Sequence, residues 1–253
     1  MNLAQQLWLE TQPSIFKNAS LIISLRKFPF YNGNCIEARR LSDNATLDIG
    51  FVDGYIDTAS LLSFAGSDSV SVNKIYNQGF EGGSVSSGAN NVIVDSGNLT
   101  LDTNGLVSFY CSILVGDYSH ESEQYSMFYA GRMGNSSPAH IVRGNIASGY
   151  VIYGHPNGSL TTFRNNLTTY NYDRFYTAAN LNLLEAYSYS EVLDTTVNGV
   201  DEPQRTLTGT FEIGDIMIRT RGLFQELVMF KENLPISKRQ IIRTEINNYY
   251  NIF

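Results

Sequence analysis

Hydrolysis of a glycosidic bond requires two carboxyl groups flanking the scissile bond, roughly 5–5.5 Å apart for retention and roughly 6.5–9.5 Å apart for inversion. The sequence offers one closely spaced set. In Asp117-Tyr118-Ser119-His120-Glu121-Ser122-Glu123, the side chains of Glu121 and Glu123 fall on the same side of an extended strand, beside His120. Such a pair could work as acid and base, or join the histidine on a metal. A polar loop or strand edge accounts for the same residues, and that is the reading adopted. Glu185, in the run Leu184–Tyr189, is a further carboxylate available to a pair.

Other chemistries have less support. His120, His140 and His155 are not spaced as His-x-x-x-His or as any helix-borne zinc set, and no cluster of Asp and Asn oxygens suits calcium. Cys35 and Cys111 form neither a disulfide framework nor a metal motif and read as free, buried thiols. Gly79-Phe80-Glu81-Gly82-Gly83-Ser84 lacks the Lys-Ser/Thr ending of a phosphate loop, and its glutamate would oppose phosphate. No cofactor and no metal is therefore expected. Tyrosines are the more informative class, because a sugar ring lays its C–H face on an aromatic side chain. Tyr118, Tyr150, Tyr153, Tyr170, Tyr172, Tyr187 and Tyr189 read as lying in loop contexts. Tyr170 and Tyr172, in Thr169-Tyr170-Asn171-Tyr172-Asp173, are the chief candidates for a carbohydrate or partner surface.

The elements that must carry these residues follow from composition and cadence. Of 253 residues, 43% are hydrophobic, enough for a sizeable core, and only 16% are charged. With Gly 21, Tyr 16 and Phe 14, this is the vocabulary of strands and tight turns. A net charge of −7 repels phosphate backbones and anionic lipid, so neither nucleic acid nor membrane is an expected partner. No apolar run reaches the ~18 residues of a membrane span, and the first residues carry no basic leader, so synthesis in the cytoplasm is expected. The Asn-x-Ser/Thr triplets at Asn18, Asn44, Asn98, Asn135, Asn157 and Asn166 are read as products of an Asn-rich chain.

Along the chain, residues 3–16 suggest a short helix broken by Pro13, and residues 21–26 a strand. Residues 35–40 and 46–51 form a hairpin around Ser42-Asp43-Asn44. Residues 57–66 open on a capping Asp57 and stop at Gly66, as a brief helix would. A strand at 70–76 precedes a Gly/Ser-rich surface loop at 77–91. Short strands follow at 92–94, 99–102, 106–115, 123–129, 140–143, 149–153, 159–164, 173–182 and 184–189, separated by Asn, Gly and Ser. Asn198-Gly199 between β-formers is a hairpin signal. After a strand at 222–230, Ser237 caps an amphipathic helix at 237–250, expected to pack on the edge or end of a sandwich, with Lys238, Arg239 and Arg243 on its solvated side. The chain is expected to be one all-β domain over residues 1–253, with a helical arm at 1–19, a short internal helix and a C-terminal helix.

Four segments carry a family resemblance. They are Ser24-Leu25-Arg26; Ile36–Ala45 with Asp48-Ile49-Gly50-Phe51; Leu61-Leu62-Ser63-Phe64 with Ile75-Tyr76-Asn77-Gln78-Gly79; and Gly222–Phe230 running on to Tyr249-Tyr250-Asn251-Ile252. They resemble concanavalin A-like (laminin G-like) domains of bacteriophage virion proteins, similar in their opening part to the arabinofuranosidase B catalytic domain. The resemblance implies a two-sheet antiparallel jelly-roll sandwich. In the arabinofuranosidase relatives the nucleophile glutamate follows an aromatic strand and a Gly-Asn, but Phe128–Ser137 carries serines there. The second family carboxylate follows an Ile-Gly, and Ile213-Gly214-Asp215 keeps an aspartate. Half a pair is not a mechanism, so the leading expectation is a non-enzymatic virion structural protein. This would be a head or tail fibre, spike or decoration protein, located in the virion, binding other virion chains or host-surface glycans as a homo-oligomer, with a trimer expected. The alternatives are a glycoside hydrolase using Asp215 with Glu121, Glu123 or Glu185, and a free carbohydrate-binding module.

Overall fold

A strand with one wet face alternates apolar and polar side chains, whereas a strand covered on both faces reads as a continuous buried run. Both patterns occur here. Tyr125–Gly131 and Leu223–Phe230 are buried at every position, while Ile36–Arg40 buries Ile36 and Ala38 and leaves Glu37 and Arg39 partly exposed. The computed structural model describes residues 14–87, 91–111, 114–116, 124–132, 139–143, 150–154, 161–165, 168–171, 180–189, 192–201, 204–206, 216–218 and 222–253.

Among the described residues the strands form two eight-stranded antiparallel sheets, a four-stranded meander and a two-stranded hairpin. The first sheet runs in the order Leu21–Ser24, Leu223–Phe230, Tyr125–Gly131, Asn182–Tyr189, Val192–Val197, Val200–Asp201. The second runs Ile216–Ile218, Leu114–Gly116, Ser84–Ser87, Val70–Tyr76, Ile36–Arg40, Thr46–Ile49. Ile23, Met127, Leu184 and Leu227 of the first sheet meet Ile36, Val72, Ile75 and Val85 of the second in the main core. Alternate residues of the first sheet point the other way. Ile22, Phe128, Leu183, Val228 and Phe230 build a second core with Ile242, Ile246 and Tyr250 of the helix Ile236–Tyr250. Each such side chain contributes about 1.5–3 kcal/mol on burial, which holds the helix to the face of the sheet. It does not lie on the edge or end of the sandwich, as the sequence suggested.

The internal helix is Thr58–Ala65, with Asp57 accepting from the Ser60 amide at 3.0 Å and Gly66 at φ +59° closing it. Asn198 and Gly199 turn at φ 48° and 76°, as a tight hairpin requires. Four expectations are corrected. Residues 106–115 are not one strand: Phe109–Tyr110 pairs with the first sheet and Leu114–Gly116 with the second, so the chain changes layers between them. The loop at 77–91 contains Ser84–Ser87, which sits inside the second sheet. The hairpin arm at 46–51 ends at Ile49, and Phe51–Val52 pairs with Tyr55–Ile56 around Asp53-Gly54, both at positive φ. The C-terminal helix begins at Ile236, with Pro235 rather than Ser237 at its cap. Of the expected helix at 3–16, residues 3–13 lie outside the described residues; a single 3₁₀ turn spans Ser14–Asn18.

Candidate functional site

The outer face of the first sheet carries charges where no water reaches. Arg26, just beyond the edge strand, and Glu226, opposite Ser24 in the neighbouring strand, are both fully buried. The guanidinium donates to both carboxylate oxygens, from Nε at 2.5 Å and Nη2 at 2.6 Å. Ser24 Oγ and the Tyr250 hydroxyl donate to the same Glu226 Oε2 at 2.7 and 3.1 Å. The aromatic rings of Phe28 and Tyr249 flank the cation at 4.7 and 4.8 Å. Burial opposes the charge on Arg26, and the Glu226 carboxylate outweighs it, so the guanidinium pKa is raised. Burial pushes the Tyr250 hydroxyl well up, with Glu226 adding to the rise, and keeps it a donor.

Asn77 and Gln78 complete the backbone of the edge strand. An edge exposes a row of unpaired amides and carbonyls. Asn77 Oδ1 accepts from the Ile22 amide and its Nδ2 donates to the Ser20 carbonyl. Gln78 accepts from the Phe28 amide and donates to the carbonyls of Ser24 and Arg26. Gly79 is required at this contact, since a Cβ there would lie 2.6 Å from the Ser20 carbonyl oxygen.

Glu185 projects from the same outer face as Glu226 and is equally sealed. Arg243 Nε donates to it at 2.7 Å, and the Tyr187 hydroxyl donates to its other oxygen. Burial raises its pKa, and Arg243 pulls partly against that rise. Arg239 lies 3.8 Å over the Tyr187 ring and donates to the Leu234 carbonyl, while Arg243 also reaches Thr196 and Asp201. The expected solvated basic face is thereby corrected: Arg239 is 8% exposed, and the arginines clasp the helix to the sheet. A polar cleft of about 200 Å³ above them is lined by Asp194, Thr196, Asp201 and Gln240, with Arg243 between it and Glu185.

The candidate ligand site lies elsewhere. A cavity of about 330 Å³ opens between the Asp53-Gly54 hairpin, the first turn of the internal helix, Leu106 and Tyr249. Ligand pockets are typically about 300–1,000 Å³. Val52, Ile56 and Leu106 supply apolar wall and Tyr55 and Tyr249 supply rings, while Asp53 and Asp57 add carboxylates. The Tyr55 hydroxyl is fixed by donating to the Val107 carbonyl at 3.0 Å. The two oxygens of Asp57 accept from the Ser60 hydroxyl and amide, which hold its pKa below the usual carboxylate range. Apolar walls beside fixed hydrogen-bonding groups suit a ligand with one apolar and one hydroxylated aspect.

Glu121, Glu123, Asp215 and Tyr172 lie outside the described residues. Tyr170 belongs to a strand, Thr168–Asn171, opposite Phe163, rather than to a loop. Tyr150, Tyr153, Tyr187 and Tyr189 are likewise strand residues. Cys35 and Cys111 are buried and not joined in a disulfide, and burial pushes the Cys35 thiol well up. Among the described residues no three His, Cys, Asp or Glu side chains converge as a metal site requires, and no helix is long and apolar enough to cross a membrane. No cavity residue carries a ligand-binding signal in the sequence: Asp57 reads as a helix cap and Tyr249 as part of the closing resemblance segment, while Asp53-Gly54 has the composition of a two-residue hairpin turn.

This fold is an antiparallel two-sheet jelly-roll sandwich. Solved structures of the same architecture include an arabinofuranosidase complexed with arabinofuranosyl-α-1,2-xylobiose, at TM-score 0.69 and 14% identity. A mutant GH54 α-L-arabinofuranosidase soaked with 4-nitrophenyl α-L-arabinofuranoside aligns at TM-score 0.70 and 12% identity. Each likeness covers 90% of this chain and 62% of the other, so the chain spans less than two thirds of the length of those enzymes. At such identities the likeness establishes the fold alone, and the expected resemblance to arabinofuranosidases holds at that level. No family model and no curated protein matches the sequence.

Proposed function

We propose that this protein is a non-enzymatic attachment module that binds carbohydrate through the cavity at Tyr55 and Tyr249. One observation carries the reading: among the described residues the carboxyl held above its ordinary pKa, Glu185, does not reach the cavity. A general acid needs a raised pKa and access to the glycosidic oxygen. Glu185 has the raised pKa and is sealed behind Arg243, while Asp57 borders the cavity and is held low by Ser60. Binding of a glycan by the purified protein, without release of reducing sugar from it, is the expected result. Release of reducing sugar would overturn the reading.

The virion assignment rests on the sequence resemblance. In it the module is part of a head or tail fibre, spike or decoration protein, assembled as a homo-oligomer, with a trimer expected, and engaging other virion chains or host-surface glycans. Mass spectrometry of purified particles tests it, and absence of the chain from them would contradict it. The shared fold with arabinofuranosidases favours a second reading, hydrolysis by Asp215 with Glu121 or Glu123. Loss of sugar release in Asp215→Asn would support that reading.

A further inference from the structure

The cavity at Tyr55 and Tyr249 has walls of one charge sign. Asp53 and Asp57 are the charged residues among its described lining, and no lysine, arginine or histidine joins them there. We infer that the cavity selects glycans carrying a free, protonated amino sugar over their N-acetylated and acidic counterparts. The inference rests on the carbohydrate reading above and narrows its ligand class.

The segment that carries both carboxylates is pinned by its backbone. The Lys27 amide donates to the Gly54 carbonyl and the Ile56 amide to the Leu25 carbonyl, each at 2.9 Å, and the Asp57 amide donates to the Gly50 carbonyl at 3.1 Å. A frame fixed before the ligand arrives lowers the ordering cost of binding. Asp57 accepts one bond on each oxygen from Ser60, which holds the carboxylate ionised and leaves each oxygen further acceptor capacity. The exposed Asp53 carboxylate has no hydrogen bond or ion pair among the described residues, so its charge is not offset within the protein. Arg26 lies 4.8 Å from the centre of the Tyr249 ring, but Glu226 already matches its charge. It therefore does not cancel the two aspartates.

The chemistry of the walls selects the ligand. An ammonium group on a sugar ring has three donors and no acceptor, the complement of carboxylate oxygens, and a cation is attracted to the faces of tyrosine rings. Val52, Ile56 and Leu106 supply apolar surface for the C–H face of the same ring. Acetylation of the amine removes the charge and two of the donors, while a carboxyl on the sugar meets two like charges. A helix N-terminus otherwise favours an anion, but here Asp57 already caps it. The net charge of −7 acts in the same direction, by drawing cationic ligands toward the molecule.

The test is a glycan array on which each hexosamine glycan is printed twice, with its amine free and with it acetylated, beside neutral and acidic glycans. The pair bound best is then titrated calorimetrically at about pH 6, where an amine and the aspartates are both charged. The wild type is expected to bind the free-amine form about tenfold more tightly than the acetylated one, a difference of about 1.4 kcal/mol. Asp53→Asn removes one charge and keeps a residue that tolerates the positive φ of this turn, so the fold is retained. It is expected to lower the free-amine to acetyl affinity ratio at least threefold. An undiminished ratio in Asp53→Asn, or in Ala59→Phe with its cavity filled, would assign the preference to the net charge of the molecule and overturn the inference. Binding of neutral or acidic glycans with no preference for the free amine would also overturn it and leave the cavity reading intact. Failure of the wild type to bind any glycan would overturn both.

Discussion

Arg26 and Glu226 are 200 residues apart in sequence and form a bidentate ion pair in which both side chains are fully excluded from solvent. Ser24 and Tyr250 bind the same carboxylate, and Gln78 binds the carbonyls of Ser24 and Arg26. Three of the four segments that carry the sequence resemblance, those holding Arg26, Gln78 and Glu226, therefore meet around one buried polar lock. They mark the architecture of the sandwich rather than a reaction.

Breaking one partner of this pair strands the other charge in the core. Arg26→Met is expected to cost about 3–5 kcal/mol in urea unfolding, and Arg26→Met/Glu226→Leu to cost distinctly less, because no lone charge remains. Equal losses for the single and double variants would contradict the lock.

The amide side chains at the sheet edge predict a second stability effect. Gln78→Ala leaves the Phe28 amide and the carbonyls of Ser24 and Arg26 without their Gln78 partner, at about 1–3 kcal/mol for each buried group left unsatisfied. A midpoint shift below the equivalent of 1 kcal/mol in chemical denaturation would show that water replaces the side chain. Gly79→Ala is expected to destabilise as well, through the clash with Ser20.

Glu185 predicts a pH effect of known sign. Its pKa is raised in the folded protein by burial, so between the unfolded carboxyl value of about 4.3 and the folded value the native state holds a proton that the unfolded chain has lost. Its contribution to stability therefore declines as pH rises through that window and is level above it. Glu185→Gln removes this slope, and Arg243→Gln moves the carboxyl, followed by carbon NMR, to still higher pH. A Glu185 resonance titrating below the ordinary glutamate range would contradict the burial argument.

Much of the sandwich was legible because local chemistry agrees with the fold. Asp57 and Gly66 bound the internal helix, Asn198-Gly199 turns a hairpin, and alternation in Ile36–Arg40 marks a one-sided strand. The misreadings arose where tertiary covering decides the outcome. Arg239 and Arg243 read as a wet helix face because a sequence does not reveal that Tyr187 and Glu185 wait beneath them. Ser84–Ser87 read as loop because serines in a strand carry no apolar signal, although pairing on both sides fixes the segment. The cavity was hidden for a related reason: Tyr55, Leu106 and Tyr249 lie far apart in sequence and only the closed sandwich brings them together.

Binding without hydrolysis at the Tyr55–Tyr249 cavity is tested most directly with Ala59→Phe, which fills the cavity from an exposed helical position. Titrated with a glycan selected by the wild-type protein on a glycan array, and assayed in parallel for reducing sugar, the wild type is expected to bind and release none. Ala59→Phe is expected to lose at least tenfold in monosaccharide affinity with an unchanged unfolding midpoint. Undiminished affinity in Ala59→Phe, or release of reducing sugar by the wild type that Asp215→Asn abolishes, would contradict the account.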